Sequence, residues 1–136
     1  MQAALLQKER KMNREGRIER RKHRRYEAKK GAFAAVRPLC AKIGRIIDIS
    51  RSGLAFHYVD TDSQERASHE LDIFLIGNRF RLNRMPIRII SDIAMPERSS
   101  PGPLTMKRCG VQYGELSHEQ MIEVNYFIQH YTFDVA

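Results

Sequence analysis

Between residues 32 and 113 the apolar positions come in short runs, mostly β-branched or aromatic, and clusters of Gly, Pro, Asp and Ser punctuate them. That texture predicts strands. The first, 32–37 (AFAAVR), ends against Pro38, and the second, 42–50 (KIGRIIDIS), runs into a tight turn at Arg51-Ser52-Gly53. In 54–59 Leu54, Phe56 and Tyr58 alternate with Ala55 and His57, as a half-buried strand requires. A polar loop at 60–69 precedes expected strands at 71–76, 79–84 and 86–93. In 79–84 Phe80 and Leu82 alternate with Arg79, Arg81 and Asn83, and Pro86 signals an edge position or a bulge. Residues 94–105, with Pro96, Pro101, Gly102 and Pro103, read as an irregular loop before a last strand at 106–113.

After that strand the period changes. Ser117-His118-Glu119-Gln120 has the form of a capping box, with Leu116 and Met121 placed for a hydrophobic staple. Met121, Val124, Ile128 and Tyr131 then recur at three- and four-residue steps, which predicts one face of a helix over about 118–131. Six or so short strands in series, with no helix between them, predict an all-β meander or barrel closed by a terminal helix. No internal repeat is visible, and 136 residues suffice for one core.

Charge changes the picture at the N-terminus. The net charge is +8, and residues 1–31 alone hold 12 Lys+Arg against 4 Asp+Glu, whereas residues 32–136 balance. Residues 1–18, thinly apolar and interrupted by Gly16, read as a flexible basic arm that orders only against a partner. The imbalance excludes a uniformly basic nucleic-acid-coating protein and points to an arm that meets something anionic. No apolar run approaches the roughly 20 residues of a membrane span, and a cytoplasmic protein is expected. Cys40 and Cys109 have no neighbouring ligand pattern and read as small buried hydrophobes. The histidines show no metal spacing, Asp60, Asp62 and Glu65 make only half a calcium loop, and Ser50 and Ser52 sit in no nucleophile motif. Neither an enzyme nor a metal site is expected.

Two clusters carry chemistry. Arg21-Lys22-His23-Arg24-Arg25 places two arginines four apart, and Asp48-Ile49-Ser50-Arg51-Ser52-Gly53 places a carboxylate, a hydroxyl and a glycine at a strand end. In this order they resemble the RxxxR and DxSxxG signature of the PilZ domain family of cyclic di-GMP receptors. The Glu-Arg-Arg lead-in, the Gly-Arg-Ile-Ile-Asp strand and the Gly-Val-Gln-Tyr before the capped helix agree with it. The resemblance covers residues 18–133 and implies a six-stranded antiparallel barrel with a C-terminal helix, residues 19–133 forming the PilZ domain. It also implies that Arg21, Arg25, Asp48, Ser50 and Gly53 bind cyclic di-GMP, with no further cofactor. A preceding arginine, Arg20, implies a stacked, self-intercalated ligand dimer. Arg24 stands where family members often have proline and is expected to be a solvated charge.

The chemistry of these residue types fits such a ligand. A guanidinium pairs two-pronged with phosphate or with guanine O6 and N7, and stacks on purines. An ionised carboxylate complements the N1–H and N2–H donors of guanine. Gly53 permits a tight turn and a close approach of chain or ligand. The reading is a second-messenger receptor whose arm orders over the ligand and presents a new surface to a downstream protein. Its rivals are a nucleic-acid clamp built on the arm, disfavoured because no aromatic-lined strand motif is present, and a PilZ-like adaptor that binds no nucleotide. Arg79, Arg81, Arg84 and Arg88 read as the wet face of a sheet.

Overall fold

The computed structural model describes residues 23–37, 42–61, 69–96 and 104–135. Its centre is a closed antiparallel barrel of six strands: β2 (Ala32–Arg37), β3 (Ile43–Ile49), β4 (Gly53–Val59), β5 (His69–Leu75), β6 (Arg81–Ala94) and β7 (Met106–Tyr113). The order is β2-β5-β6-β7-β4-β3, and β3 pairs back with β2 to close the ring. Alternate residues point inward, so Ala34, Ile46, Phe56, Ile73, Leu82 and Val111 meet in one core. The fold is the all-β barrel with a C-terminal helix expected above.

Two of the expected strands are one. Residues 81–94 form a single strand that runs through Pro86 and pairs with β5 along its first half and β7 along its second. The ladder skips between Leu71 and Ile73, leaving Asn83 and Arg84 opposite Asp72, and Arg84 takes φ 58°. The Asp72 carboxylate accepts the Arg84 backbone N–H at 2.8 Å. Pro86 therefore marks a bulge and not an edge, since β6 has a neighbour on each side.

Two short strands extend the sheet. β1 (Tyr26–Ala28) pairs with the end of β3, through Tyr26↔Ile49 and Glu27↔Asp48, while β2 occupies the start of the same edge. Gly31, at φ 92°, makes the kink that separates β1 from β2. β8 (Thr132–Val135) pairs with β1. Between β7 and β8 lies α1 (His118–His130), with both halves of the Ser117–Gln120 capping box formed. Its buried residues are Val124 and Phe127, whereas Met121 is 48% exposed. Val124, Ile128 and Tyr131 of the expected stripe pack on the core, Phe127 joins them against Phe80 and Tyr131, and Met121 alone of the stripe stays outside.

Candidate functional site

The site is assembled by the strand pairing at the end of β3. A register skip between Ile46 and Asp48 lets both Ile46 and Ile49 enter the core, and Asp48 stays on the outer wall, 8% exposed. Since β1 lies antiparallel to this stretch, Arg25, one residue before β1, arrives beside Asp48. Its Nη1 donates to Asp48 Oδ1 at 2.6 Å. The other carboxylate oxygen accepts from Arg108 Nη2 at 3.3 Å. Asp48 is therefore held between two guanidiniums, one from each side of the strand.

Ser50 is 1% exposed, and its hydroxyl is built into the turn between β3 and β4. Ser50 Oγ accepts from the backbone N–H of Ser52 at 3.1 Å and of Gly53 at 3.2 Å, and it lies 3.1 Å from Ser52 Oγ. The Gly53 carbonyl accepts the Ser50 backbone N–H at 2.8 Å, which locks the turn. Gly53 does not have a left-handed φ. Its role is close approach: a Cβ there would stand 2.2 Å from the Val111 carbonyl oxygen on β7. Of the two roles expected for Gly53, a special backbone conformation and a close approach, the φ does not require the first and the distance to Val111 supports the second.

Beside them lies a hollow of about 470 Å³ walled by Arg25, Arg108, Ser52, Ser91, Gln112 and Ile90, with Gly53 and Gly110 in its lining; Asp48 and Ser50 do not line it themselves. Gly110 keeps its floor low, because a Cβ there would meet Ser91 Oγ at 2.6 Å. Gln112 Oε1 accepts from Arg88 Nη2 at 2.5 Å, so one arginine of the 79–88 series sits at the hollow's edge. Beneath, Arg25 Nε and the Tyr113 hydroxyl are buried with no partner among the described residues. Burial pushes the Tyr113 hydroxyl well above its ordinary pKa, with the positive charge of Arg25 opposing in part. The wall is thus rich in donors and net positive, suited to an anion with flat hydrogen-bonding edges.

Arg24 and Arg25 face different hollows. Arg24 lines a second one, of about 560 Å³, with His23, Tyr26, Arg51, Asn125 and Gln129. Arg20 and Arg21 lie outside the described residues, as do the 1–18 arm, Cys40, Asp62 and Glu65. Of the expected site residues the structure brings together Arg25, Asp48, Ser50 and Gly53. It adds Arg108, which sequence reading missed, because nothing in the local pattern of β7 marks one outward residue as neighbour to a carboxylate 60 positions away. Among the described residues no group of His, Cys, Asp and Glu could hold a metal, and no helix is long and apolar enough to cross a membrane. Cys109 is buried, and burial raises its thiol pKa to about 12.

No protein-family model and no curated protein matches the chain. A solved structure does: the PilZ domain with c-di-GMP of YcgR from Escherichia coli, at a TM-score of 0.59 and 14% identity, covering 82% of this chain and 90% of that one. This chain has the fold of a PilZ domain. In that fold β3, β4 and β7 of the barrel hold Asp48, Ser50 and Gly53, and β1, paired to the end of β3, brings Arg25 to them.

Proposed function

We propose that this PilZ barrel is a cyclic di-GMP receptor that reads the ligand through Arg20, Arg21 and Arg25 on one side and Asp48, Ser50 and Gly53 on the other. One observation carries the reading. Arg25 and Asp48, drawn from the two separate motifs, meet at 2.6 Å beside a hollow walled by further donors. The ion pair pre-orders both groups, which lowers the cost of fixing them when ligand arrives. A ligand phosphate offers Arg25 a second anion, and Asp48 accepts from guanine N1–H and N2–H. Ser50 acts by holding the turn that sets Ser52 and Gly53 in the wall of the hollow. Arg20 and Arg21 close over the ligand from the chain ahead of β1, and Arg20 favours a stacked ligand dimer. Ordering of residues 1–25 then creates the surface that a downstream protein recognises. The protein transmits a signal and performs no catalysis.

Calorimetric titration of the full chain with cyclic di-GMP tests this. Saturable binding is expected, with Arg21→Ala, Arg25→Ala and Asp48→Ala each losing about 1–3 kcal/mol. Hydrogen exchange over residues 1–25 is expected to slow on saturation. Absence of binding would make the chain an adaptor that takes no nucleotide; wild-type affinity in all three variants would refute the site. Unchanged exchange at saturation would refute the relay.

A further inference from the structure

Apart from Arg108, the belt of side chains next to Asp48 on the barrel's outer surface has no role in the site above. In register, Arg108, His57, Arg45, Phe33, Phe74 and Arg81 are successive partners across β7, β4, β3, β2, β5 and β6. Each stands beside an inward core residue, among them Cys109, Phe56, Ile46, Ala34, Ile73 and Leu82, so all six point outward. Three cationic or basic groups stand abreast, an arrangement that costs stability when no anion lies opposite. The rung itself contains no carboxylate. Asp48, the acid that Arg108 touches, is shared with Arg25. Neither Arg45 nor His57 has a hydrogen-bond or ion-pair partner among the described residues. Desolvation, and then the charges of Arg108 and Arg45, hold the His57 pKa below its ordinary value, which is how mutual repulsion registers there.

The same rung continues into stacking surfaces. The Phe33 and Phe74 rings stack at 5.8 Å and 17°, and the Arg81 guanidinium lies 5.2 Å from the Phe74 ring centroid. Both rings are half-buried on the outside of the barrel, and Arg81 is exposed. Cations that favour phosphate, followed by aromatic and guanidinium planes that favour bases, are the two components of a single-strand binding surface. Five strand spacings make the belt about 24 Å long.

We propose that this belt is a docking track for single-stranded nucleic acid, with phosphodiesters against Arg108, His57 and Arg45 and unpaired bases against Phe33, Phe74 and Arg81. The strand is single because bases in a duplex cannot reach the aromatic faces. The track draws no residue from the basic N-terminal arm. It does not depend on the cyclic di-GMP reading, with which it shares Arg108 alone.

Fluorescence anisotropy of a labelled oligothymidylate, titrated with the full chain over a salt series, provides the test. Arg45→Gln is expected to weaken binding several-fold and to flatten the slope of log K against log salt by about 0.7. Phe33→Leu and Arg81→Gln are expected to weaken it roughly fivefold or more, with no effect on a duplex of the same length. The His57 imidazole resonances are expected to titrate at higher pH when the oligonucleotide is bound, because phosphate offsets the two arginines. Affinity unmoved by Arg45→Gln and Arg81→Gln, both exposed surface changes, with His57 unshifted, would place all binding on the arm and overturn the track. Arg45→Gln is expected to leave the cyclic di-GMP titration unchanged, so failure of either reading is seen by itself.

Discussion

Ser50 and His57 show how single residues of this barrel are tied to its stability. Ser50 Oγ is the acceptor for two backbone donors inside a buried turn, so Ser50→Ala strands both N–H groups. A loss of about 1–3 kcal/mol is expected. It reads as a lower midpoint of urea unfolding at unchanged slope. For His57 the folded pKa lies below the unfolded 6.5, so the unfolded chain binds more protons in that window. Its contribution is complete above pH 6.5 and is lost as pH falls towards the folded value. His57→Gln is expected to flatten the fall in unfolding free energy below pH 6.5, and an identical acid profile would contradict the assignment. At this scale the sequence was informative where residues close in the chain meet, as at Ser50 and Gly53, which close one turn. Arg108 was illegible, because its neighbour is set by two strand pairings and not by its own surroundings.

Elements of this chain are joined through their ends. Gln120 closes the capping box by accepting the Ser117 backbone N–H at 3.0 Å. Its amide also donates to the Asn83 and Arg84 carbonyls at 3.2 and 3.4 Å, which fastens the start of α1 to the bulge of β6. Ser117→Ala is expected to cost about 1 kcal/mol, as a lost cap does. Gln120→Ala is expected to cost more, and thermal unfolding that ranks the two the other way would show the bulge contacts to be idle. The capping box was readable because it is local, four residues with a fixed hydrogen-bond pattern. The bulge was readable only in part: Pro86 announced an interruption, but a long strand passing through it pairs with β5 and β7 along different halves. β1 and β8 went unseen, since three and four residues of mixed character carry no period.

On the scale of the molecule, α1 closes one mouth of the barrel. Phe127 is fully buried against Phe80 and Tyr131, and Phe127→Ala is expected to cost about 3–5 kcal/mol. Helix and sheet signals are expected to be lost together at the lower midpoint, and helix loss ahead of the sheet would show that α1 is not part of one cooperative unit. The periodicity of 118–131 predicted a helix and the packing of Val124, Ile128 and Tyr131, but it placed Met121 on the buried side and missed Phe127, which meets Phe80. By itself the sequence determined the all-β class, the core-facing alternation in β4, the helix start and the two motif clusters, all of which depend on residues near one another in the chain. Tertiary structure alone decided barrel closure, the meeting of Arg25 with Asp48 and Arg108, and the outer rung from Arg108 to Arg81. Those depend on register between strands far apart in sequence, and a shift of one residue would turn each of these side chains to the opposite face.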